Sequence, residues 1–224
     1  MKKKRKKKIN FKKLFIFLFI IVILLVTFYY LINQKTRNIV VLNNDYYTDE
    51  QIIETLEIEN YPKFLLLNTN KLENKLKKLD LIENANITKK FGFILNIDVK
   101  EKKILYYIRS NNEYKLSDNT SISLDNVIGK PILINYVPEK IEESFVKKFK
   151  NIDNSIIGLI SEIEYSKTNY DDKRFLLYMN DGNLVYVTVS KLDVLNKYVS
   201  IVSKLDNKKG ILYLDSGNYF EIKQ

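Results

Sequence analysis

Asp153, Ser155, Gly158 and Glu164 stand at the spacing of the first, third, sixth and twelfth loop positions of a calcium-binding EF-hand. The fifth position is Ile157, which has no side-chain oxygen, and the stretch has strand character, so the match is read as coincidence. Asp45, Asp49 and Glu50 form a second acidic cluster with the oxygen donors a hard cation prefers. Asp49 and Glu50 follow Thr48 directly, however, and at a helix N-terminus negative charge is favoured by the helix dipole without any metal. The carboxylate pairs Glu142/Glu143 and Asp171/Asp172 have the residue types of acid–base and glycosidase chemistry. They fall on an expected helix surface and an expected turn, where solvated charge is the ordinary explanation. The chain has no histidine and no cysteine, which excludes thiol nucleophiles, Ser–His–Asp triads and imidazole metal sites. It also lacks P-loop, G-x-G-x-x-G and G-x-S-x-G motifs. No catalytic residue, cofactor site or metal ligand is therefore expected.

What remains are aromatics. Tyr106 and Tyr107 read as residues that cover a sheet. Tyr213, Tyr219 and Phe220, close to the end of the sequence, suit either that role or anchoring of a protein partner, where aromatics dominate binding energy.

The element that positions everything else is Leu14–Ile32, nineteen residues without a charge. As a helix it spans roughly 28 Å, close to a bilayer's hydrocarbon thickness. It is longer than a signal peptide's apolar region and lacks a small-residue cleavage site after Ile32, so an uncleaved transmembrane anchor is expected. Residues 1–13 form a basic tail carrying +9 of the formal +10 net charge, and only Lys35 and Arg37 are basic in the twenty residues after the span. Basic flanks stay in the cytoplasm, which predicts an inside N-terminus and an extracytoplasmic remainder. That remainder is nearly neutral, so the basic pI gives no reason to expect nucleic acid as a partner; the tail is topogenic, and the bilayer is the expected contact of residues 14–32.

Past the anchor, Asn38–Leu42 is a strand candidate and Thr48 with Gln51 is a capping box opening a helix with Ile52, Ile53 and Leu56 inward. Leu65, Leu66 and Leu67 read as a buried connection. Asn70 with Glu73 is expected to cap a second helix that buries Leu72, Leu76 and Leu79. Strands follow at Leu81–Thr88, with Ile82 and Ile87 inward, and at Phe93–Lys100, where Leu95, Ile97 and Val99 alternate with polar residues. The order is β-α-α-β-β.

At these residues the chain resembles the POTRA domain of the bacterial FtsQ/DivIB cell-division family. Ile82, Ala85 and Ile87 match its I-x-x-A-x-V motif with Ile for Val, Lys89, Lys90 and Gly92 match its basic turn, and Val99 with Glu101 match its strand end. Ile104 stands where the family commonly has proline. The second half is similar to the family's β-domain. Here the shared features are a helix at Glu139–Lys150, an I-S-x-I strand start (Ile160, Ser161, Ile163), a hairpin at Asn180–Asn183, a helix with Leu192, Leu195, Val199 and Val202 inward, and a closing G-x-x-x-L-D strand ending at Asp215.

The expected fold class is α+β: a single transmembrane helix, a POTRA domain over residues 36–104, and a mixed α/β domain with mostly antiparallel strands over residues 105–224. The resemblance implies a non-enzymatic, bitopic membrane scaffold of the divisome at the septum, linking septal peptidoglycan synthesis components through extracytoplasmic contacts. It implies partners of the FtsB/DivIC and FtsL type, with no small-molecule substrate. It also places partner capture in the C-terminal part of the β-domain, so Ile211, Leu212, Tyr213, Leu214 and Asp215 are read as an edge strand that accepts a partner strand, with Tyr219 and Phe220 beside it. The rival readings are a tethered cell-wall enzyme and a POTRA-type module handling polypeptide in secretion.

Overall fold

The computed structural model describes residues 11–125, 129–205 and 208–223. Most of the basic tail thus lies outside the described residues. Helix α1 (Phe11–Ile32) is long and apolar enough to cross a membrane, and none of its residues is buried. Two compact units follow from the backbone contacts, Met1–Glu101 and Lys102–Gln224.

In the first unit β1 (Asn38–Leu42) leads to α2 (Asp49–Leu56), a 3-10 turn at Phe64–Leu66, α3 (Thr69–Leu76), β2 (Ile82–Lys90) and β3 (Ile94–Glu101). The sheet order is β1-β3-β2, with β1 parallel and β2 antiparallel to the central β3. The period-two alternation of β3 buries Leu95, Ile97 and Val99 almost completely. The Thr48 capping box forms as expected: the Gln51 amide N–H donates to Thr48 Oγ1 at 3.2 Å, and the Thr48 N–H donates to Gln51 Oε1 at 2.9 Å.

The second helix is capped differently from the expectation. Asn68, not Asn70, is the N-cap, accepting from the Lys71 amide at 3.1 Å. Glu73 is released from capping and instead accepts the Ile87 amide of β2 at 2.7 Å. Leu72 and Leu76 are buried as read, while Leu79 falls beyond the helix and is half-buried. The Leu65–Leu67 connection is also corrected. Phe64 is the buried residue of that turn, whereas Leu65 and Leu66 face outward. A three-residue 3-10 turn gives each successive side chain a different direction, so three adjacent leucines cannot all point inward.

The second unit runs β4 (Ile104–Ile108), β5 (Glu113–Leu116), β6 (Ser121–Ile122), β7 (Ile132–Leu133), α4 (Glu139–Phe149), α5 (Asn154–Ile157), β8 (Ile160–Tyr165), β9 (Arg174–Met179), β10 (Leu184–Thr188), a 3-10 run Val189–Lys197, α6 (Tyr198–Val202), β11 (Gly210–Tyr213) and β12 (Tyr219–Ile222). Among the described residues these strands make one sheet in the order β12-β11-β10-β9-β8-β7-β4-β5-β6. Most pairs are antiparallel, and β10 with β11, β4 with β7 and β7 with β8 are parallel. A parallel pair cannot be joined by a tight turn, which is why Val189–Val202 crosses between β10 and β11.

The core of this unit is aromatic at its centre. Phe145 of α4 stacks on Phe149 at 4.8 Å and on Phe175 at 4.2 Å, with Tyr106 edge-on. Glu142 is not solvated as expected. It accepts from the Tyr106 hydroxyl at 2.9 Å and pairs with the buried Lys115 at 3.2 Å, so one member of the suspected carboxylate pair is committed to packing. Burial and the adjacent Glu142 push the Tyr106 hydroxyl far above its ordinary value. The crossover also differs from its reading, because a 3-10 run replaces most of the expected helix. Tyr198 is buried in consequence, and Val199 is exposed.

A candidate partner-binding edge

The expected edge strand is interior. Ile211, Leu212 and Tyr213 of β11 pair on one side with Leu184, Val185 and Tyr186 of β10 and on the other with Glu221, Phe220 and Tyr219 of β12. The reading of Ile211–Asp215 as the strand-accepting edge is thereby corrected. Its four-residue partner β12 is outermost, and the sequence reading assigned Tyr219 and Phe220 no strand of their own. Leu212 and Leu214 are core residues, Ile211 and Tyr213 are half-buried, and Asp215 is held by Arg174. Tyr219 is half exposed to solvent, whereas Phe220 packs partly against the core.

Local chemistry explains why β12 turns back on β11. Asp215 Oδ1 accepts from the Ser216 amide at 2.7 Å, and Asn218 takes a left-handed conformation (φ +85°) that closes the turn. The opposite end of β11 is fixed by a buried polar cluster. Gly210 N–H donates to Asn183 Oδ1 at 3.0 Å. The Asn183 amide nitrogen donates to the Tyr198 hydroxyl at 3.1 Å and to Asp181 at 3.0 Å, and Tyr198 in turn donates to Asp181 at 2.8 Å. Burial, with Asp181 beside it, raises the Tyr198 hydroxyl well above its ordinary value, so it stays a donor. Gly210 is required at this point. A Cβ there would lie 2.0 Å from the Glu221 carbonyl oxygen and 2.8 Å from the Phe220 ring, inside the space β12 occupies.

Across one face of these strands runs a ladder of side chains. The Arg174 guanidinium lies 3.6 Å from the ring centre of Tyr186, Tyr186 stacks on Tyr213 at 5.4 Å, and Tyr213 stacks on Tyr219 at 4.6 Å. Arg174 is itself fixed by Asp215 at 2.6 Å. Cross-strand register thus gives a continuous run of side-chain contacts from β9 to the exposed ring of Tyr219. The Tyr213 hydroxyl donates to Glu221 Oε2 at 3.0 Å, which holds the one charge of β12 on that same face.

The backbone of β12 alternates. The Lys223 amide donates to the Lys209 carbonyl, so in this antiparallel ladder residues 219 and 221 also turn their polar groups toward β11. Phe220 and Ile222 turn theirs outward, and among the described residues β12 has no strand beyond it. Ile222, half exposed, is a site residue the sequence reading missed, as are Tyr186 and Arg174. The available signal was the alternation Tyr219–Ile222 behind the turn-forming Asp215–Asn218.

The other suspected centres resolve into structure. Asp49 and Glu50 occupy the first turn of α2, with Asp49 accepting from Asn44 at 2.9 Å. Glu164 lies in β8 and accepts from Tyr178 at 2.7 Å; that bond, with some burial, leaves the Tyr178 hydroxyl pushed up to about 12. Glu101, the acidic residue at the end of β3, accepts from the amides of Asp45, Tyr46 and Tyr47 at 3.1, 2.7 and 3.1 Å, tying the loop before α2 to β3.

The sequence is similar to those of known proteins. Residues 34–102 match the family model of the POTRA domain, FtsQ-type. The cell division protein DivIB of Bacillus subtilis is 32% identical over 190 residues, covering 82% of this chain and 72% of that protein. The cell division protein DivIB of Listeria monocytogenes is 30% identical over 191 residues, covering 82% and 71%. Among solved structures, the major extracytoplasmic domain of Geobacillus stearothermophilus DivIB aligns with a TM-score of 0.40 at 22% identity, covering 48% of this chain and 96% of that one. With its FtsQ-type POTRA domain and its similarity along four-fifths of the chain, this protein belongs to the DivIB family of cell division proteins.

Proposed function

We propose that the protein is a non-catalytic, single-pass scaffold of the bacterial divisome. Its basic tail is cytoplasmic, its two folded units are extracytoplasmic, and it joins components of septal peptidoglycan synthesis at the division site. Family membership supports the division role, and the charge asymmetry across residues 14–32 supports the orientation. The partners are bitopic proteins of the FtsB/DivIC and FtsL type.

The observation that carries the mechanism is the outward row of β12. A partner segment adds as a strand to Tyr219–Ile222, its backbone pairing with Phe220 and Ile222 while its side chains extend the tyrosine ladder beyond Tyr219. Leu212, Leu214 and Asp215 then act behind the edge by holding it in place, and Ile211 and Tyr213 form its inner neighbour. This separates two jobs that the sequence reading assigned to one strand.

Binding of the full chain in nanodiscs to a DivIC-type extracytoplasmic segment tests the proposal. Ile222→Pro removes an outward N–H that β11 does not use, and proline is tolerated on an edge strand. Binding is expected to fall about two- to tenfold, the loss of roughly one hydrogen-bonded contact, with the unfolding temperature unchanged. Undiminished binding by Ile222→Pro defeats strand addition at β12. Phe220 is unsuitable for this test because its ring contributes to the core.

A further inference from the structure

The chain leaving α1 is fastened at once to two loops. The Phe64 amide donates to the Gln34 carbonyl at 2.9 Å, Lys63 Nζ to Asn33 Oδ1 at 2.7 Å, and the Arg37 amide to the Phe93 carbonyl at 2.8 Å. Gln34 is two residues past the last residue of α1, within roughly 7 Å of chain from the anchor's end, and the Phe64 amide lies one 2.9 Å hydrogen bond beyond it. The polar layer on each side of a bilayer's hydrocarbon core is itself about 5–8 Å deep. A turn fastened there lies next to the polar layer of a membrane that holds α1.

The side chains at that place are not those of a solvated loop. Leu65 is 45% exposed, Leu66 60%, and Phe91 is fully exposed. Lys63, Lys89 and Lys90 lie beside them, and the segments 33–37, 61–66 and 88–93 contain no acidic residue. Lys89 joins the two loops: its Nζ donates to the Leu65 carbonyl at 3.1 Å and lies 5.5 Å from the centre of the Phe64 ring, which meets Phe93 edge-on at 5.5 Å. Apolar residues rimmed by lysines, on a rigid support, have the composition of an interfacial membrane contact.

We propose that Leu65, Leu66 and Phe91 insert into the headgroup–acyl boundary of the extracytoplasmic leaflet, with Lys63, Lys89 and Lys90 on its anionic headgroups, so that the POTRA unit rests on the membrane instead of swinging from the anchor. The occupant is the bilayer because the patch follows directly on α1 and its lysines are opposite in charge to anionic lipid headgroups. The inference requires α1 to span the bilayer and is independent of the partner edge.

The chain has no cysteine, so single-cysteine variants of the full protein label at one place each. Spin labels at Leu66→Cys, Phe91→Cys, Ile23→Cys and Asp45→Cys are compared in nanodiscs of equal parts phosphatidylglycerol and phosphatidylethanolamine. Accessibility to oxygen, which partitions into lipid, is measured against accessibility to a water-soluble nickel complex. Asp45 lies past the far end of β1 and reports water. Labels at 66 and 91 are expected to show a ratio several-fold above that at 45, and Lys63→Glu/Lys89→Glu/Lys90→Glu is expected to return them toward the value at 45. Water-like labels at 66 and 91 with a deep label at 23 overturn the inference alone. A water-like label at 23 overturns the anchor and the inference together. Lipid-like labels at all four positions show indiscriminate collapse and overturn it as well.

Discussion

The two sheets of this protein end in edge strands treated in opposite ways. In the three-stranded sheet, β2 is nine residues long, carries a register shift between Ile82 and Asn84, and has its Ile87 amide taken by the Glu73 carboxylate. Lys89 and Lys90 add charge at its end. These are the devices by which an edge avoids pairing with another chain. In the nine-stranded sheet, β12 is four residues long, is regularly paired through all of them, and carries one charge, which Tyr213 holds on the ladder face. Its outward groups have no such cover among the described residues. The two edges differ accordingly: β2 is capped and charged, whereas β12 is regular and uncovered among the described residues.

Two substitutions probe the closed side. Leu76→Ala should have the largest effect, because Leu76 is fully buried between α3 and the sheet. About 2–5 kcal/mol of stability is expected to be lost, read by chemical unfolding, with binding at β12 unchanged. Loss of partner binding at temperatures where the variant is folded would mean that the POTRA unit also contributes to capture. Glu73→Ala removes the cap on β2. An Ile87 amide left without its acceptor costs about 1–3 kcal/mol, and its hydrogen exchange should quicken while the exchange of β12 amides stays as it was. If the Ile87 amide exchanges no faster, Glu73 does not close that edge.

Where one residue's periodicity decides a structure, the sequence was a sufficient guide. The alternation of Leu95, Ile97 and Val99, the Thr48–Gln51 box and the apolar run of α1 each describe their element without help from elsewhere. The errors fall where tertiary neighbours decide. Glu73 has the spacing of a capping residue for Asn70, but a strand amide fourteen residues away claims its carboxylate. Strand β7 is two residues long and has no period to detect, although it joins β4 to β8. The site shows the same division. Tyr213, Tyr219 and Phe220 stood out by type, but which strand is outermost follows from pairing order, which local sequence does not encode. Arg174 and Tyr186 belong to the site through register alone, some thirty or more residues from Tyr219 in the chain.

The smallest effect is expected on the open side, at the turn of the β11–β12 hairpin. Burial by itself would raise the Asp215 carboxyl, but hydrogen bonds from Arg174 and Ser216, with the guanidinium charge, outweigh it and hold the group below its ordinary value of 3.8. A carboxylate lowered by folding contributes stability that is complete above the unfolded value and disappears as pH falls through the folded one. Asp215→Asn keeps an oxygen for the Ser216 amide but puts an NH2 donor where Oδ2 accepts from Arg174, removing that hydrogen bond together with the charge, so about 1 kcal/mol should be lost at neutral pH. The gap between the variant and the native chain should then narrow once the pH falls below 3.8. Because Arg174 stacks on Tyr186, and the ladder ends at Tyr219, partner affinity should weaken over the same acid limb. A variant that matches the native chain at neutral pH, or a gap that widens in acid, would show that the ladder is ordered by stacking without the ion pair.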